Sequence, residues 1–331
     1  MKIAWQTRSQ ILQDSIVNNW LSPKANGGNA YDFQAAIALS SDFDLYVDSE
    51  SVYLDSDNPL SYWWRMRNHL PEASHRILEP YPIVFGGKFN ETANIAMIHH
   101  VDTQAETGGA KHKWFYKRLF ERISGFDRVV TVSQFWKDYL KQKGCENVEV
   151  IYNAFDPEDY TFSQDQLADF RENHGFENNR PIIYIGNAAP GKGVYEAYEV
   201  LKDSNYQLVM TGGTNKAADL PVKFLSLNAG DYRKLIAACD VVLTMSTMME
   251  GWNRVAHEAL LSKTPVIGSG SGGMKELLEG AGQTITTNFN RLPNLVKNCL
   301  TNKDTFAEAG YKFVAQYDQA YFKQAWRSII Q

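Results

Sequence analysis

The stretch VVLTMSTMMEGWNRVAHEALL, residues 241–261, decides how this chain reads. Residues 241–245 are strand-like, and Ala259-Leu260-Leu261 continues a helical pattern. Between them Gly251-Trp252-Asn253 makes a turn. The unit is therefore strand, turn, helix, with Glu250 in the turn and Glu258 inside the helix. A helix that begins near Asn253 presents free backbone N–H groups and the positive end of its dipole, which suits a phosphate. Gly251 permits close approach of the backbone. Glu258 can accept hydrogen bonds from vicinal hydroxyls such as those of a ribose, and Glu250 would face whatever lies beyond the phosphates. Taken alone, the pair is more simply an acid that complements the helix dipole and a solvated helix glutamate.

The same alternation recurs outward from this unit. Strands are expected at 2–5, 95–98, 128–132, 148–152, 181–185, 207–210, 222–225 and 265–268. Helices are expected at 30–39, 111–123, 134–143, 195–201 and 231–238, and over most of 306–330. Strands that alternate with helices imply parallel sheets covered on both faces. The polar, turn-rich stretch 153–159 is the candidate linker between two such sets. In sheets of this kind ligands bind beyond the carboxyl ends of the strands.

The composition agrees with two domains: 331 residues, 44% of them hydrophobic, hold ample material for buried cores. A net charge of −5 argues against a basic nucleic-acid binder. Three scattered cysteines, Cys145, Cys239 and Cys299, fit neither a disulfide framework nor a zinc site. The opening MKIAWQTRSQ lacks the apolar core of a signal peptide, and no apolar run is long enough to span a bilayer, so the expected location is cytoplasmic.

A second loop strengthens the phosphate reading. Gly186-Asn187-Ala188-Ala189-Pro190-Gly191-Lys192-Gly193 follows a strand and precedes a helix, and nearly matches the pattern of a phosphate-binding P-loop. Its last position is Gly193, so the hydroxyl that would hold Mg²⁺ is missing. That argues against an ATPase, and leaves a flexible backbone and one lysine for a phosphate without a metal. Thr211-Gly212-Gly213 and Gly27-Gly28 add glycine loops beside other elements.

These segments, in this order, resemble the retaining GT-B glycosyltransferases of family 4, the glycosyl transferases group 1 type. The likeness is carried by Gly186 to Gly193, Thr211-Gly212-Gly213, "EGWNRVAHEAL" and "TPVIGSGSGGMKELL" in the second half. In the first half it is carried by Gly27-Gly28, "MIHHVD", "DRVVTVSQFWKDYL" and "VIYNAFDPEDY". The resemblance implies a GT-B fold, two Rossmann-like doubly wound domains facing across a cleft. The first would be 1–155, the second 156–310, and a final helix, about 311–331, would pack back on the first.

It further implies transfer of a hexose, glucose from UDP-glucose first and mannose from GDP-mannose next, to a saccharide or lipid-linked hydroxyl, with retention and without a required cofactor or metal. The pathway implied is polysaccharide or glycoconjugate synthesis. Glu258 would hold the ribose, Glu250 the donor sugar, and Asn253, Arg254 and Val255 the phosphates or sugar, beside Gly251 and Trp252. Lys192 would neutralise the diphosphate, with Gly186 and Asn187 in the same loop. The base would lie near Thr211 to Gly213 and the 226–228 loop. His99 would meet the donor sugar near its 6-hydroxyl, with His100, Gly27 and Gly28 close by and Asp102 orienting an imidazole. Asn187 stands where family members often carry an arginine, which leaves room for a chain that binds a nucleotide sugar without turning it over.

Two features lie outside this set. Asp42-Phe43-Asp44 and Asp55-Ser56-Asp57 have the D-x-D shape of metal-dependent transferases, and are read as surface acids. The helix expected at 111–123 carries Lys111, Lys113, Lys117, Arg118 and Arg122 beside Trp114, Phe115, Leu119 and Phe120. It is read first as an ordinary helix with Phe115, Leu119 and Ile123 inward, and second as a weak contact with an anionic membrane surface.

Overall fold

The computed structural model describes residues 1–22, 27–48, 64, 72–102, 108–212 and 219–331. The chain forms two compact units, Met1–Asn153 with Ala320–Gln331, and Ala154–Gln319. The Asp55–Asp57 triplet and Gly213 lie outside the described residues.

The first unit is built on a parallel sheet of β1 (Lys2–Gln6), β2 (Asp44–Asp48), β3 (His75–Leu78), β4 (Ala93–Met97), β5 (Arg128–Thr131) and β6 (Val148–Val150). Their spatial order is β2-β1-β3-β4-β5-β6. Ile3, Ala4, Ile77, Ile95, Ala96, Val129 and Val130 are buried along consecutive positions, as a sheet covered on both faces requires. On one face Leu119, Ile123, Trp136 and Leu140 from two helices pack against β4 and β5 residues. On the other, Trp5 meets Trp326 with ring centroids 5.6 Å apart, and Tyr31 meets Phe322 edge-on at 5.1 Å.

Phe322 and Trp326 belong to the last helix, Gln319–Ile330, and both are fully buried. Asp42 pairs with Lys323 at 3.4 Å and Arg327 at 2.9 Å of the same helix. Asp42 is thus an exposed acid, ion-paired to the last helix. The chain returns to the first unit at Ala320 and not near 311. The preceding helix, Lys303–Val314, stays with the second unit because Gly310 packs directly on Leu260.

The helix Ala110–Ile123 buries Leu119 and Ile123, with Phe115 partly covered. Arg118 Nε and Arg122 Nη1 donate to the carbonyls of Val84 and Ile83, at the end of the helix Pro80–Gly86. Those two cations serve a helix carboxyl terminus, where positive charge is favourable. No helix among the described residues is long and apolar enough to cross a membrane. Cys145, Cys239 and Cys299 are buried free thiols.

The second unit repeats the plan with β7 (Ile182–Asn187), β8 (Gln207–Thr211), β9 (Lys223–Leu225), β10 (Val241–Thr244), β11 (Val266–Gly268) and β12 (Thr284–Ile285). The order is β12-β11-β10-β7-β8-β9, again parallel. Strand order reverses between β7 and β10, so the loops after these two strands open the crevice where such sheets take ligands.

Candidate functional site

Three loops of the second unit converge at that reversal. After β7, Gly191 carbonyl accepts the Thr247 N–H at 2.8 Å, which ties the Gly186–Gly193 loop to the loop after β10. Gly193 has φ 69°, and a Cβ there would collide with the carbonyl oxygen of Met245. The position where a P-loop needs a hydroxyl therefore cannot hold a side chain at all. After β11, Glu250 N–H donates to Ser271 carbonyl at 3.3 Å, and Gly273 N–H donates to Glu250 carbonyl at 3.0 Å. A Cβ at Gly272 would strike Glu250 carbonyl, so glycine lets the β11 loop close on the glutamate.

Within this cradle Lys192 Nζ lies 2.6 Å from Glu250 Oε1, with the glutamate side chain 16% exposed. Directly after it, Asn253 takes a left-handed conformation, φ 78°, and its side chain accepts the Ala256 N–H at 2.9 Å. Asparagine tolerates that backbone and caps the helix Arg254–Leu261. The glutamate–lysine pair thus stands close in sequence to the opening of this helix.

Other expected donor residues are placed differently. Trp252 is buried, and its indole N–H donates to His257 Nδ1 at 3.0 Å. Its side chain builds the core under the helix start. Burial, then the charge of Arg254, push the His257 imidazole down to about 3. The Arg254 guanidinium lies over the Phe155 ring at 4.3 Å and faces Glu258 electrostatically, so it serves Glu258 and the core. The Tyr160 hydroxyl donates to Glu258 Oε1 at 3.2 Å. Burial raises the Glu258 carboxyl above its usual range, opposed by Arg254 and Tyr160. Phe155 lies in the expected linker and Tyr160 directly after it; the turns are real, but both rings are buried. Polar composition at 153–159 hid them.

Thr211 turns its hydroxyl inward to Tyr184, 2.8 Å away, and its carbonyl accepts the Ala188 N–H at 2.9 Å. Asn187 Oδ1 accepts the Ala189 N–H at 2.8 Å, closing a turn inside the glycine loop. In the 226–228 loop, Asn228 caps the helix Ala229–Ala238. Gly186 ends the register shift in β7, and Gly251 and Val255 flank the cap.

In the first unit the strand-end histidines separate. His99 Nε2 lies 2.8 Å from Asp32 Oδ1, with the His99 side chain 21% exposed, and Tyr31 stands edge-on to its ring at 5.0 Å. His100 is exposed, 6.4 Å from the Trp136 ring. A carboxylate at the His99 imidazole is that of Asp32. Asp102 is exposed after β4, and its backbone N–H donates to Tyr116 hydroxyl. Gly27 and Gly28 form the first residues of the helix Gly27–Ser40 that carries Asp32. A lone acid among Ala30, Tyr31, Ala35, Ala36 and Leu39, all buried, was the available signal for it. Among the described residues no group of three or more His, Cys, Asp or Glu is placed to hold a metal ion.

Comparisons with known proteins agree with this architecture. Residues 50–159 match the family model described as Glycosyltransferase Family 4, and residues 166–291 match that described as Glycosyl transferases group 1. An uncharacterized glycosyltransferase of Methanocaldococcus jannaschii is 28% identical over 178 residues, 46% of this chain and 44% of that protein, so the match spans less than half of the relative. HepE of Anabaena, solved in complex with UDP-glucose, has a TM-score of 0.76 at 21% identity, over 100% of this chain and 99% of that one. Sucrose-phosphate synthase of Thermosynechococcus elongatus has a TM-score of 0.78 at 16% identity, over 100% and 99%. Such likeness shows the fold, which is GT-B. With its two consecutive family segments on two parallel six-stranded sheets, the chain belongs to the family 4 type of glycosyltransferases.

Proposed function

We propose that the chain moves glucose from UDP-glucose to a hydroxyl of a saccharide or lipid-linked acceptor, with retention at the anomeric carbon and without a required metal, in polysaccharide or glycoconjugate synthesis. The observation that carries the reading is the Lys192–Glu250 pair beside the capped start of the Arg254–Leu261 helix. A cation beside the start of a helix is an arrangement that suits a diphosphate. That HepE binds UDP-glucose supports the choice of donor.

On this reading Glu258 takes the ribose hydroxyls and Glu250 orients the sugar while holding Lys192. The bond from the anomeric carbon to the diphosphate oxygen breaks, and the acceptor oxygen bonds to the same face. The acceptor proton passes to the departing phosphate oxygen. Lys192 and the helix N–H groups stabilise the charge that develops there. Neither glutamate is then a nucleophile or a general acid of the glycosidase kind, because Glu250 is paired to a lysine and Glu258 to a tyrosine.

One observation favours a second reading, a protein that binds the donor without turnover. Asn187 replaces the family's frequent arginine, and its carboxamide closes a local turn. Release of free glucose from UDP-glucose separates the two. The transferase reading expects slow release by the native chain and loss of it in His99→Ala with UDP affinity kept. Binding with no release would leave the second reading standing. A GDP-mannose preference in the same assay would change the donor and not the class.

A further inference from the structure

The first unit holds a buried set of titratable groups that the donor-binding loops do not account for. It gathers where β1, β3 and β4 end, and the sheet order turns back between β1 and β3. Gln6, the last residue of β1, and Thr7 after it are fully buried. Glu79, after β3, occupies the cap position of the Pro80–Gly86 helix but makes no side-chain cap bond. Its Oε1 is buried without a hydrogen-bond partner. His99 follows β4. From the helix opposite, Asp32 presents Oδ1 at 2.8 Å from His99 Nε2, with its side chain 7% exposed. Tyr31 stands against the His99 ring at an interplanar angle of 88°, fixed by its hydroxyl bond to Ile151 carbonyl at 3.0 Å.

We propose that Asp32 is the positioning residue of His99, fixing its ring and its tautomer, with the Glu79 carboxyl standing behind the pair. The inference rests on the reading that His99 acts on the donor sugar. An ionised carboxylate only accepts, so the proton at this contact is on His99 Nε2. Two carboxyls in one buried site resist joint ionisation. Burial first, then the Asp32 charge, push Glu79 up to about 8, while Thr7, His99 and Trp5 oppose the rise. At neutral pH the Glu79 carboxyl is therefore mostly protonated. The other titratable groups close to it are Tyr31, held well above its ordinary value by burial and by Asp32, and Tyr321.

The test uses the full chain labelled at histidine with ¹³C and ¹⁵N, the His99 signals being those lost in His99→Gln. The native protein should show the Nε2–H tautomer and a shift of the His99 signals near pH 8 as Glu79 ionises. Glu79→Gln should remove that step and keep UDP-glucose turnover below pH 7. Asp32→Asn, close in shape, should lower the His99 titration midpoint by about one pH unit or more. Its kcat should fall on the order of 10²-fold with KM for UDP-glucose little changed, and Asp32→Glu should restore part of the loss. An unaltered His99 titration and an unaltered kcat in Asp32→Asn would overturn the proposal, as would a native spectrum with the proton on Nδ1. If the native chain releases no glucose, the functional reading fails, while the spectra still decide whether Asp32 sets the ring.

Discussion

At the scale of the residue, position 193 separates two chemistries that share a loop. A P-loop needs a hydroxyl there for its metal, and here a Cβ would run into the carbonyl of Met245. Gly193 also has a positive φ that disfavours other residues. Gly193→Ser should therefore lower stability by about 2–4 kcal/mol, seen as a lower denaturation midpoint, and should not create magnesium-dependent ATP turnover. Magnesium-dependent ATP hydrolysis in a well-folded Gly193→Ser protein would contradict this account of the loop. Glu250 and Lys192 form a second residue-scale test. Glu250→Gln keeps the shape but removes the charge that holds the lysine at 2.6 Å. Turnover should fall more than UDP affinity, since the nucleotide would keep Lys192 and the helix N–H groups. Equal losses of both would mean that Glu250 chiefly binds the ground state.

At the scale of the element, the strand-turn-helix at 241–261 and the alternation around it were legible because buried parallel strands leave continuous apolar runs. The helix start at Asn253, its cap residue, and the phosphate-suited loops all follow from local chemistry. Other parts were not local. Asp32 reaches His99 across 67 positions, and Tyr160 reaches Glu258 across 98, so no window of sequence contains either pair. The helix Gln164–Asn173 did carry a local mark, the reciprocal cap of Ser163 and Gln166. Its apolar face is too sparse for periodicity to show it. The final helix is an element whose place depends on packing: Trp326 lies fully buried against Trp5. Trp326→Ala should cost about 3–5 kcal/mol, a large loss for the first unit, read by thermal unfolding. A loss below about 1 kcal/mol would mean the helix is not held by that ring.

At the scale of the whole molecule, one buried group in each unit, His257 and Glu79, should contribute to the pH dependence of stability with opposite signs. In the second unit, the unfolded His257 imidazole takes a proton near 6.5 and the folded one only near about 3. Between those values the unfolded chain binds more protons, so stability is present above 6.5 and is lost as pH falls toward 3. In the first unit, Glu79 has the reverse sign. Its folded value of about 8 lies above its ordinary 4.5, so its contribution is full below 4.5 and is lost as pH rises through 8. Amide exchange measured on each unit should show the first loosening from pH 5 to 8 and the second from pH 6 to 4. Glu79→Gln should flatten the first slope and His257→Gln the second. Parallel slopes in both units would refute this assignment.

The central claim concerns the second unit as a donor site, and nucleotide binding tests it most directly. Calorimetry with UDP, GDP, ADP and dTDP, without and then with Mg²⁺, should be run on the native chain and on Glu258→Ala. The account predicts that UDP binds without metal and that Glu258→Ala weakens it about 10- to 100-fold, the loss of hydrogen bonds from a charged acceptor. Binding that requires magnesium, an equal affinity in Glu258→Ala, or no binding of any of the four would contradict it.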